Sequence, residues 1–197
     1  MPEILKYTLC ALIGYLLGSI NSAVIVSKLR GKDIRTVGSG NAGATNILRT
    51  FGKGAAGIVF LVDILKGVFA AIIGRLLGGD IGSYLGGFLA IIGHNFPIYF
   101  GFRGGKGIVT SLAVMLTVSP SLALIAFGIG IIIIAATRYV SLGSILGSLL
   151  FGVLAVIRHT DNIPFCIFAV LTALLATIRH AGNIKRLMTG TERKLGK

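Results

Sequence analysis

Long apolar segments separated by short polar or proline-bearing breaks dominate this chain of 197 residues. Runs of Leu, Ile, Val, Ala and Gly of this length predict membrane-embedded α-helices. Seven predicted helices cover residues 4–28, 55–77, 81–100, 107–118, 121–137, 139–158 and 163–178. The fourth would rise only about 18 Å, against about 30 Å of hydrocarbon in a bilayer. It could instead fuse with the fifth through Ser119-Pro120, which leaves two topologies open.

The composition places these helices in a membrane. Hydrophobic residues make up 54% of the chain and charged residues only 13%, which leaves too little polar surface for a water-soluble globule. The predicted fold class is therefore all-α, a polytopic helical bundle of about seven transmembrane helices in a single domain, residues 1–197. Glycines four positions apart predict close helix contacts. They form the pairs Gly14/Gly18, Gly82/Gly86 and Gly143/Gly147.

The distribution of Lys and Arg decides between the two topologies, because these residues prefer short loops on the cytoplasmic face. With seven spans and the N-terminus outside, fifteen of the nineteen Lys and Arg, Lys197 among them, lie on the cytoplasmic side; three lie outside and Lys66 lies within a helix. Fusing the fourth and fifth helices would export the cationic tail from Arg179 onward. We therefore predict seven spans with a cytoplasmic C-terminus. This topology places all three polar islands described below on the cytoplasmic side of the membrane.

The net charge of +13 first suggests a nucleic-acid partner, but no segment could form the soluble basic domain that such binders use. Anionic lipid or a small phosphorylated ligand fits the charge better, so we predict the lipid bilayer as a partner and no nucleic acid. Cys10 and Cys166 lie inside apolar segments without metal-ligand spacing, and we interpret them as inert thiols.

The first polar island has the sequence GSGNAGATN, residues 38–46, and follows a basic loop. Its glycines formally match a dinucleotide-binding pattern, but no buried strand precedes them and no acidic residue stands at the ribose-binding distance, which excludes a Rossmann site. Glycines let backbone N–H groups converge on an anion, and Arg49 offers a planar fork for phosphate. Neutral donors are Ser39, Asn41, Thr45 and Asn46. The island predicts an oxyanion cradle; the alternative is a flexible basic loop under lipid headgroups.

The second polar island, residues 93–107, has the sequence GHNFPIYFGFRGGKG and ends just before a predicted helix. Free N–H groups at a helix start attract phosphate, and Lys106 and Arg103 add two cations. Ile108 stands where a Walker loop would carry Ser or Thr for magnesium, so we predict no nucleotide hydrolysis. His94 is expected to hydrogen-bond and order the island. The alternative is that the two cations are ordinary interfacial anchors.

The third polar island, RHAGN at residues 179–183, follows the last apolar segment. If a helix continues through it, His180, Asn183 and Arg186 share one face and could point into one pocket. A simple helix cap in contact with lipid headgroups is the alternative.

Asp63 and Lys66 lie three residues apart within a predicted helix. We interpret them as a structural ion pair rather than a proton relay, because no chain of further carboxylates accompanies them. No cluster of carboxylate, His or Cys residues indicates a metal site.

The three islands, in this order and with these helix lengths, resemble the motifs of the bacterial membrane glycerol-3-phosphate acyltransferases of the acyl-phosphate-dependent family. The resemblance spans nearly the whole chain: GSGNAGATN with Arg49, residues 93–107, and RHAGNIKRL with Gly190 and Glu192. Ala42 departs from the pattern, since many members carry proline there, but no functional group is lost. The resemblance implies a multi-pass enzyme of the bacterial cytoplasmic (inner) membrane with a cytoplasmic active site.

The resemblance further implies transfer of an acyl group from acyl-phosphate to the 1-hydroxyl of glycerol-3-phosphate. The products are 1-acyl-glycerol-3-phosphate (lysophosphatidate) and phosphate, in the first committed step of phospholipid synthesis. No cofactor or metal is implied, and acyl-CoA and acyl carrier protein are not used directly.

The resemblance also assigns roles to residues. Ser39, Arg49 and Lys106 contact phosphate groups, and Glu192 is structural. The candidate catalytic residues are Ser39, Lys106, His180 and Asn183. The candidate substrate-binding residues are Gly38, Gly40, Asn41, Gly43, Thr45, Asn46, Arg49, His94, Arg103, Gly104, Gly105 and Gly107.

The attacking hydroxyl must lose a proton, and His180 is the only evident protein base. We hypothesise instead direct transfer, in which a substrate phosphate oxygen accepts the proton while Asn183 and Ser39 position the reactants. A membrane carrier for an organic phosphate is the alternative function, although a carrier should have a midplane site and repeat-related halves. A non-catalytic lipid-binding scaffold is a third class.

Overall fold

The computed structural model describes residues 1–196, which form α-helices and two short 3-10 turns without a strand among them. The α-helices are α1 (Glu3–Ser19), α2 (Ser22–Lys28), α3 (Ala44–Asn95), α4 (Ile108–Val118), α5 (Pro120–Thr137), α6 (Val140–Arg158), α7 (Ile163–Arg179) and α8 (Ala181–Met188). The 3-10 turns are Ile34–Thr36 and Ile98–Phe100. The all-α fold class is confirmed. Lys197, counted above among the cytoplasmic cations, lies outside the described residues.

The chain divides into two compact units, Met1–Val118 and Ser119–Lys197. At the boundary, Ser119 has φ −146° and ψ 83°, which interrupt the helix between α4 and α5. Pro120 opens α5, where its missing N–H is tolerated because that group has no acceptor within the helix. The fourth and fifth predicted helices are therefore two separate helices rather than one continuous helix, and the number of membrane crossings stays a prediction. A single domain over the whole chain stays a prediction.

The first predicted helix, residues 4–28, is broken near its C-terminal third. α1 ends at Ser19, and Ile20 has a ψ of 93°, outside the helical range. The side chain of Asn21 then caps α2 by accepting a hydrogen bond from the N–H of Val24 at 3.1 Å. Ser19, Asn21 and Ser22 flank Ile20, so a short polar stretch inside the predicted helix was the available signal for this break.

α3 begins at Ala44, inside the first island, and so starts earlier than the helix predicted from residue 55. Three glycines within it leave helical geometry, Gly52, Gly78 and Gly79. Gly52 and Gly79 have φ values of 81° and 63°, in the left-handed region where a side chain is strained. α3 therefore consists of a short first section and two long arms, residues 53–77 and 80–95.

The two arms of α3 fold back on each other. A Cβ on Gly74 would overlap the carbonyl oxygen of Gly82, and a Cβ on Gly86 would lie 2.6 Å from the carbonyl oxygen of Ala70. The contacting positions move in opposite directions along the chain, so the arms form an antiparallel hairpin. They correspond to the second and third predicted helices.

The three predicted glycine pairs all lie at close helix contacts. A side chain at any of these positions would meet the backbone of the neighbouring helix. The contacts are Gly14 with Gly86, Gly18 with Ala90, Gly82 with Gly74, Gly143 with Gly130 and Gly147 with Ala126. These glycines allow the backbones to approach closely, as the spacing predicted.

Among the described residues, four helical stretches are long and apolar enough to cross a membrane: Glu3–Lys28, Ala44–Phe100, Pro120–Thr137 and Val140–Arg158. α7 and α8, bent by 58°, add a fifth if they are one span. Only 28% of the apolar window of Pro120–Thr137 is buried inside the protein, so most of its apolar surface suits lipid. An integral membrane protein is confirmed, whereas seven crossings and their orientation stay predictions.

Candidate active site

The first island is a tight loop held together by one buried side chain, that of Asn46. Its amide oxygen accepts a hydrogen bond from the N–H of Ser39 at 3.0 Å. Its amide nitrogen donates to the carbonyl oxygens of Ile34, Val37 and Asn41 at 3.2, 3.0 and 3.1 Å. These hydrogen bonds give Asn46 a role in shaping the loop, and its direct contact with substrate stays a prediction.

Two glycines turn the chain on either side of Ser39. Gly38 and Gly40 have φ values of 64° and 69°, which other residues adopt only with strain. A Cβ on Gly38 would also overlap the amide oxygen of Asn46. The turn leaves the side chain of Ser39 exposed to ligands.

The N-terminus of α3 adds backbone donors to this loop. Gly43 precedes the helix and provides no side-chain cap, so the first-turn N–H groups of Ala44 and Thr45 lack an acceptor within the helix. The positive end of the helix dipole lies at the same place. Arg49 is exposed about one turn further along. Such an arrangement favours an anion, and the oxyanion cradle stays a prediction.

The second island is closed back onto the end of α3 by two backbone hydrogen bonds. The N–H of Gly104 donates to the carbonyl oxygen of Asn95, and that of Gly105 donates to the carbonyl oxygen of His94, both at 3.2 Å. The intervening residues 96–103 form a closed loop whose two ends are fixed to the last turn of α3.

Lys106 and Arg103 differ in their surroundings. Lys106 is half-buried, whereas Arg103 is exposed. Directly after Lys106, Gly107 turns the chain with a φ of 75°, and α4 begins at Ile108. The lysine therefore stands next to the start of a helix, as the sequence predicted, and its charge adds to the positive end of that helix.

The first two islands lie against each other within the first unit. Gly105 is so close to the carbonyl oxygen of Ala42 that any Cβ on Gly105 would overlap it. Arg35, which precedes the first island, donates from Nη1 to the carbonyl oxygen of Phe100 in the second island at 2.8 Å. The structure thus brings together the loops that carry Ser39 and Lys106.

Asp33 holds Arg35 in this position. Its Oδ1 accepts from Nε of Arg35 at 2.9 Å, and its Oδ2 accepts from Nη2 at 2.7 Å. These side-chain hydrogen bonds lower the pKa of Asp33 to about 2. The carboxylate therefore stays charged at neutral pH, and the link between Arg35 and the second island persists.

In the second unit, Glu192 collects the polar side chains of the third island. Its Oε1 accepts from Nδ2 of Asn183 at 2.6 Å and from the hydroxyl of Ser141 at 2.7 Å. Its Oε2 accepts from Nε of Arg186 at 2.7 Å. Burial acts to raise the pKa of Glu192, but these three hydrogen bonds outweigh it and lower the pKa. The carboxylate thus fixes Asn183 and Arg186 on one face of α8.

His180 stands at a break, because α7 ends at Arg179 and α8 begins at Ala181 with a bend of 58°. The helix does not continue straight through the third island. His180 is 3% exposed, and its Nδ1 lies 2.7 Å from the carbonyl oxygen of Ala176. Since a carbonyl only accepts, Nδ1 carries the hydrogen and Nε2 of the neutral ring is an acceptor. Nε2 is therefore the atom that would take a proton if His180 acted as a base.

Three residues near the islands were not selected from the sequence. Arg35 was counted only as a cytoplasmic cation, and Ser141 is a hydroxyl within an apolar helix. Asn95 is fully buried, and neither its amide oxygen nor its amide nitrogen has a hydrogen-bond partner among the described residues. The available signal for Ser141 was a polar residue inside an apolar run, and for Asn95 it was its place in the second island next to His94.

Neither a metal cluster nor a disulfide occurs in the described part of the chain. No group of three or more His, Cys, Asp or Glu residues there could hold a metal ion. Cys10 is buried and Cys166 is half-buried, and both are free thiols. Cys10 donates weakly to the carbonyl oxygen of Gly74 at 3.6 Å.

These features define a class: an α-helical integral membrane protein in which two glycine-rich, cationic loops adjoin. A family profile for glycerol-3-phosphate acyltransferase matches residues 8–190. A glycerol-3-phosphate acyltransferase of Thermoanaerobacter pseudethanolicus is 52% identical over 189 residues, 95% of each chain. One of Clostridioides difficile is 46% identical over 206 residues, 98% of each chain.

Solved structures agree with these relatives. The glycerol 3-phosphate form of PlsY (YgiH), described as an integral membrane glycerol 3-phosphate acyltransferase, matches with a TM-score of 0.91 and 38% identity over 96% of each chain. Its lysphosphatidic acid form matches with a TM-score of 0.88 and 37% identity over 96% of this chain and 95% of that one. The chain belongs to the glycerol-3-phosphate acyltransferase family and is an integral membrane enzyme.

Glu192→Gln is expected to lower the melting temperature of the detergent-solubilised protein by about 5 °C. The variant loses the charged hydrogen bond to Arg186, worth about 2 kcal/mol, and about 1 kcal/mol corresponds to 2–4 °C in a chain of this size. Glu3→Gln is the control, because Glu3 is exposed. An equal effect of both substitutions would contradict the role of Glu192.

Melting temperatures measured at acidic pH test how the contribution of Glu192 to stability depends on pH. Because folding lowers the pKa of Glu192, its contribution is complete above the ordinary carboxyl pKa of about 4.3 and is lost as the pH falls through the lowered value. The melting temperatures of the wild type and Glu192→Gln should therefore converge below about pH 4.

Proposed function

We propose that the protein transfers an acyl group from acyl-phosphate to the 1-hydroxyl of glycerol-3-phosphate and releases 1-acyl-glycerol-3-phosphate and inorganic phosphate. The reaction takes place at the cytoplasmic face of a bacterial cytoplasmic membrane. Membership of an acyltransferase family favours this enzyme over a carrier for organic phosphates.

The junction of the first two islands is the observation that carries the proposal. Gly105 of the second island lies against the carbonyl of Ala42 in the first, so Ser39 and Lys106 belong to adjoining loops. Two anionic substrates repel each other in water, and cations with backbone N–H dipoles can hold both. We assign phosphate binding to Ser39, Arg49 and Lys106, with the surrounding glycines allowing close backbone approach.

The reaction needs no covalent enzyme intermediate. An acyl phosphate is a mixed anhydride, so the 1-hydroxyl oxygen attacks its carbonyl carbon while the bond from that carbon to the phosphate oxygen breaks. The hydroxyl proton passes to a phosphate oxygen of a substrate. Lys106 stabilises the negative charge of the departing phosphate. Within the second unit, His180 and Asn183 stay candidate catalytic residues.

Membrane vesicles of defined orientation test the proposal. Palmitoyl phosphate and labelled glycerol-3-phosphate are supplied to inside-out and right-side-out vesicles that contain the protein. We expect labelled lysophosphatidate in inside-out vesicles, and no product when palmitoyl-CoA replaces palmitoyl phosphate. Equal use of palmitoyl-CoA would contradict the donor, and uptake of glycerol-3-phosphate without product would support a carrier.

His180→Gln tests the origin of the base. General bases contribute about 100- to 10,000-fold to catalysis, so under substrate-assisted transfer this variant should lose less than about 100-fold in kcat. The control is His159→Gln, which changes a histidine in the loop between α6 and α7 of the same unit. Loss of several orders of magnitude with substrate affinity and melting temperature retained would establish a protein base and refute the direct mechanism.

A further inference from the structure

A buried polar cluster lies beneath the second island, in the first unit. It consists of Asp63 and Lys66 on the first arm of α3 and His94 at the end of the second arm, which are 1%, 4% and 3% exposed. The predicted ion pair between Asp63 and Lys66 is present, with Nζ of Lys66 at 2.9 Å from Oδ1 of Asp63. Ser22 of α2 also donates to Oδ1 of Asp63 at 3.0 Å.

The ammonium group of Lys66 has three acceptors for its three hydrogens. Besides the carboxylate of Asp63, Nζ lies 3.0 Å from the carbonyl oxygen of Ile20 and 2.8 Å from Nδ1 of His94. The carbonyl of Ile20 lies at the break after α1, so no N–H group of a continuing helix donates to it. Lys66 thus has an acceptor at the break after α1 and one on each arm of α3.

This contact determines where the ring of His94 carries hydrogen. If Lys66 donates to Nδ1, the neutral ring must carry its hydrogen on Nε2. If the proton resides on His94 instead, both ring nitrogens carry hydrogen. One positive charge, on Lys66 or on His94, must balance the carboxylate of Asp63, because a buried charge without a partner is costly. Nε2 therefore carries hydrogen and is a donor in both cases.

The Nε2 edge of His94, near the start of the second island, faces Gly105 near the end of that island. A Cβ on Gly105 would overlap Nε2 of His94 as well as the carbonyl oxygen of Ala42. The backbone N–H of Gly105 also donates to the carbonyl oxygen of His94. His94 therefore contacts the island through both its ring and its backbone, at the junction with the first island.

We propose that Asp63 and Lys66 are positioning residues for acyl transfer: they hold the His94 ring with its Nε2–H toward Gly105 and so fix the loop that carries Lys106. The proposal rests on the proposed function. It reassigns His94, predicted to bind substrate, to a positioning role, and it excludes Nε2 of His94 as a general base.

The double variant Asp63→Asn/Lys66→Met tests the proposal without leaving an unpaired buried charge. We expect kcat/KM to fall about 100-fold, the cost of misplacing reacting groups by about 1 Å, while the melting temperature stays close to that of the wild type. The matched control is Asp80→Asn/Arg75→Met. It removes an exposed ion pair of α3, at 3.2 Å and with side chains 63% and 62% exposed. The proposal is overturned if the first variant keeps kcat/KM within threefold.

Nitrogen NMR of histidine-labelled protein reports which nitrogens of the His94 ring carry hydrogen. A merely structural role of Asp63 and Lys66 would not change this signal. The His94 signals are assigned with His94→Gln, and in the wild type Nε2 should be protonated with Nδ1 accepting a hydrogen bond. In Asp63→Asn/Lys66→Met the Nδ1 hydrogen bond should disappear. An unprotonated Nε2 in the wild type overturns the proposal even if the protein proves inactive as an acyltransferase, so the two proposals can fail separately.

A second comparison decides the matter if the double variant does not fold. His94→Gln retains an N–H donor near the position of Nε2, whereas His94→Leu has none. We expect His94→Gln to exceed His94→Leu in kcat/KM by about tenfold, the free energy of about one hydrogen bond. Equal activity of the two variants contradicts the positioning role.

Discussion

Lys106→Met is expected to lower kcat/KM for acyl transfer by about 1,000-fold, since removal of one preorganised electrostatic donor costs about 100- to 1,000-fold and this one carries a full charge. The methionine keeps most of the volume and the apolar stem. Steady-state release of phosphate from palmitoyl phosphate measures the effect.

The matched control for this variant is Lys53→Met. Lys53 is an exposed cation of the same unit, just after the break at Gly52, so its loss removes one charge without touching either island. Comparable losses from both substitutions would mean that Lys106 acts only through the general positive charge of the surface.

Gly105→Ala is expected to lower kcat/KM by at least about 100-fold, because a misplacement of about 1 Å in the reacting groups costs that much. Its Cβ would meet the carbonyl oxygen of Ala42 and Nε2 of His94, so the two islands must separate to admit a methyl group. The helices away from this junction need not change, and far-ultraviolet circular dichroism should be unaltered.

Gly54→Ala provides the control for a glycine substitution. Gly54 lies within α3 and has no atom within 4 Å of the added Cβ. Alanine is favoured over glycine there by about 0.5–1 kcal/mol, so activity should be retained with equal or higher stability. If Gly105→Ala behaves in the same way, the junction does not constrain the active site.

The helices of the second unit could be predicted closely from the sequence. The predicted residues 121–137 and 139–158 correspond to Pro120–Thr137 and Val140–Arg158, because Ser119-Pro120 and Arg138 interrupt otherwise uniform apolar runs. The start of α3 could not be predicted, since polar residues at positions 45, 46, 49 and 50 interrupt its first section. That section is helical because Asn46 ties it to the preceding loop.

The chemistry of the islands could be predicted better than the buried contacts that hold them in place. The glycines and cations at positions 38–49 and 93–107 can be read directly from the sequence. The contacts of Lys66 with Ile20 and His94 are not, since they join residues 46 and 28 positions apart. The bend at His180 was equally hidden, because the residues around it have no helix-breaking proline.

The spacing of Asp63 and Lys66 on one arm has a consequence for biogenesis. Three residues apart, they can pair as soon as this stretch of the nascent chain becomes helical, before the ribosome has produced His94. A lone charge at the centre of a translocating helix costs about 3 kcal/mol in insertion assays. The pair can therefore leave the translocon for the lipid as an electrically neutral unit, and the later arm meets an ammonium group that is already oriented.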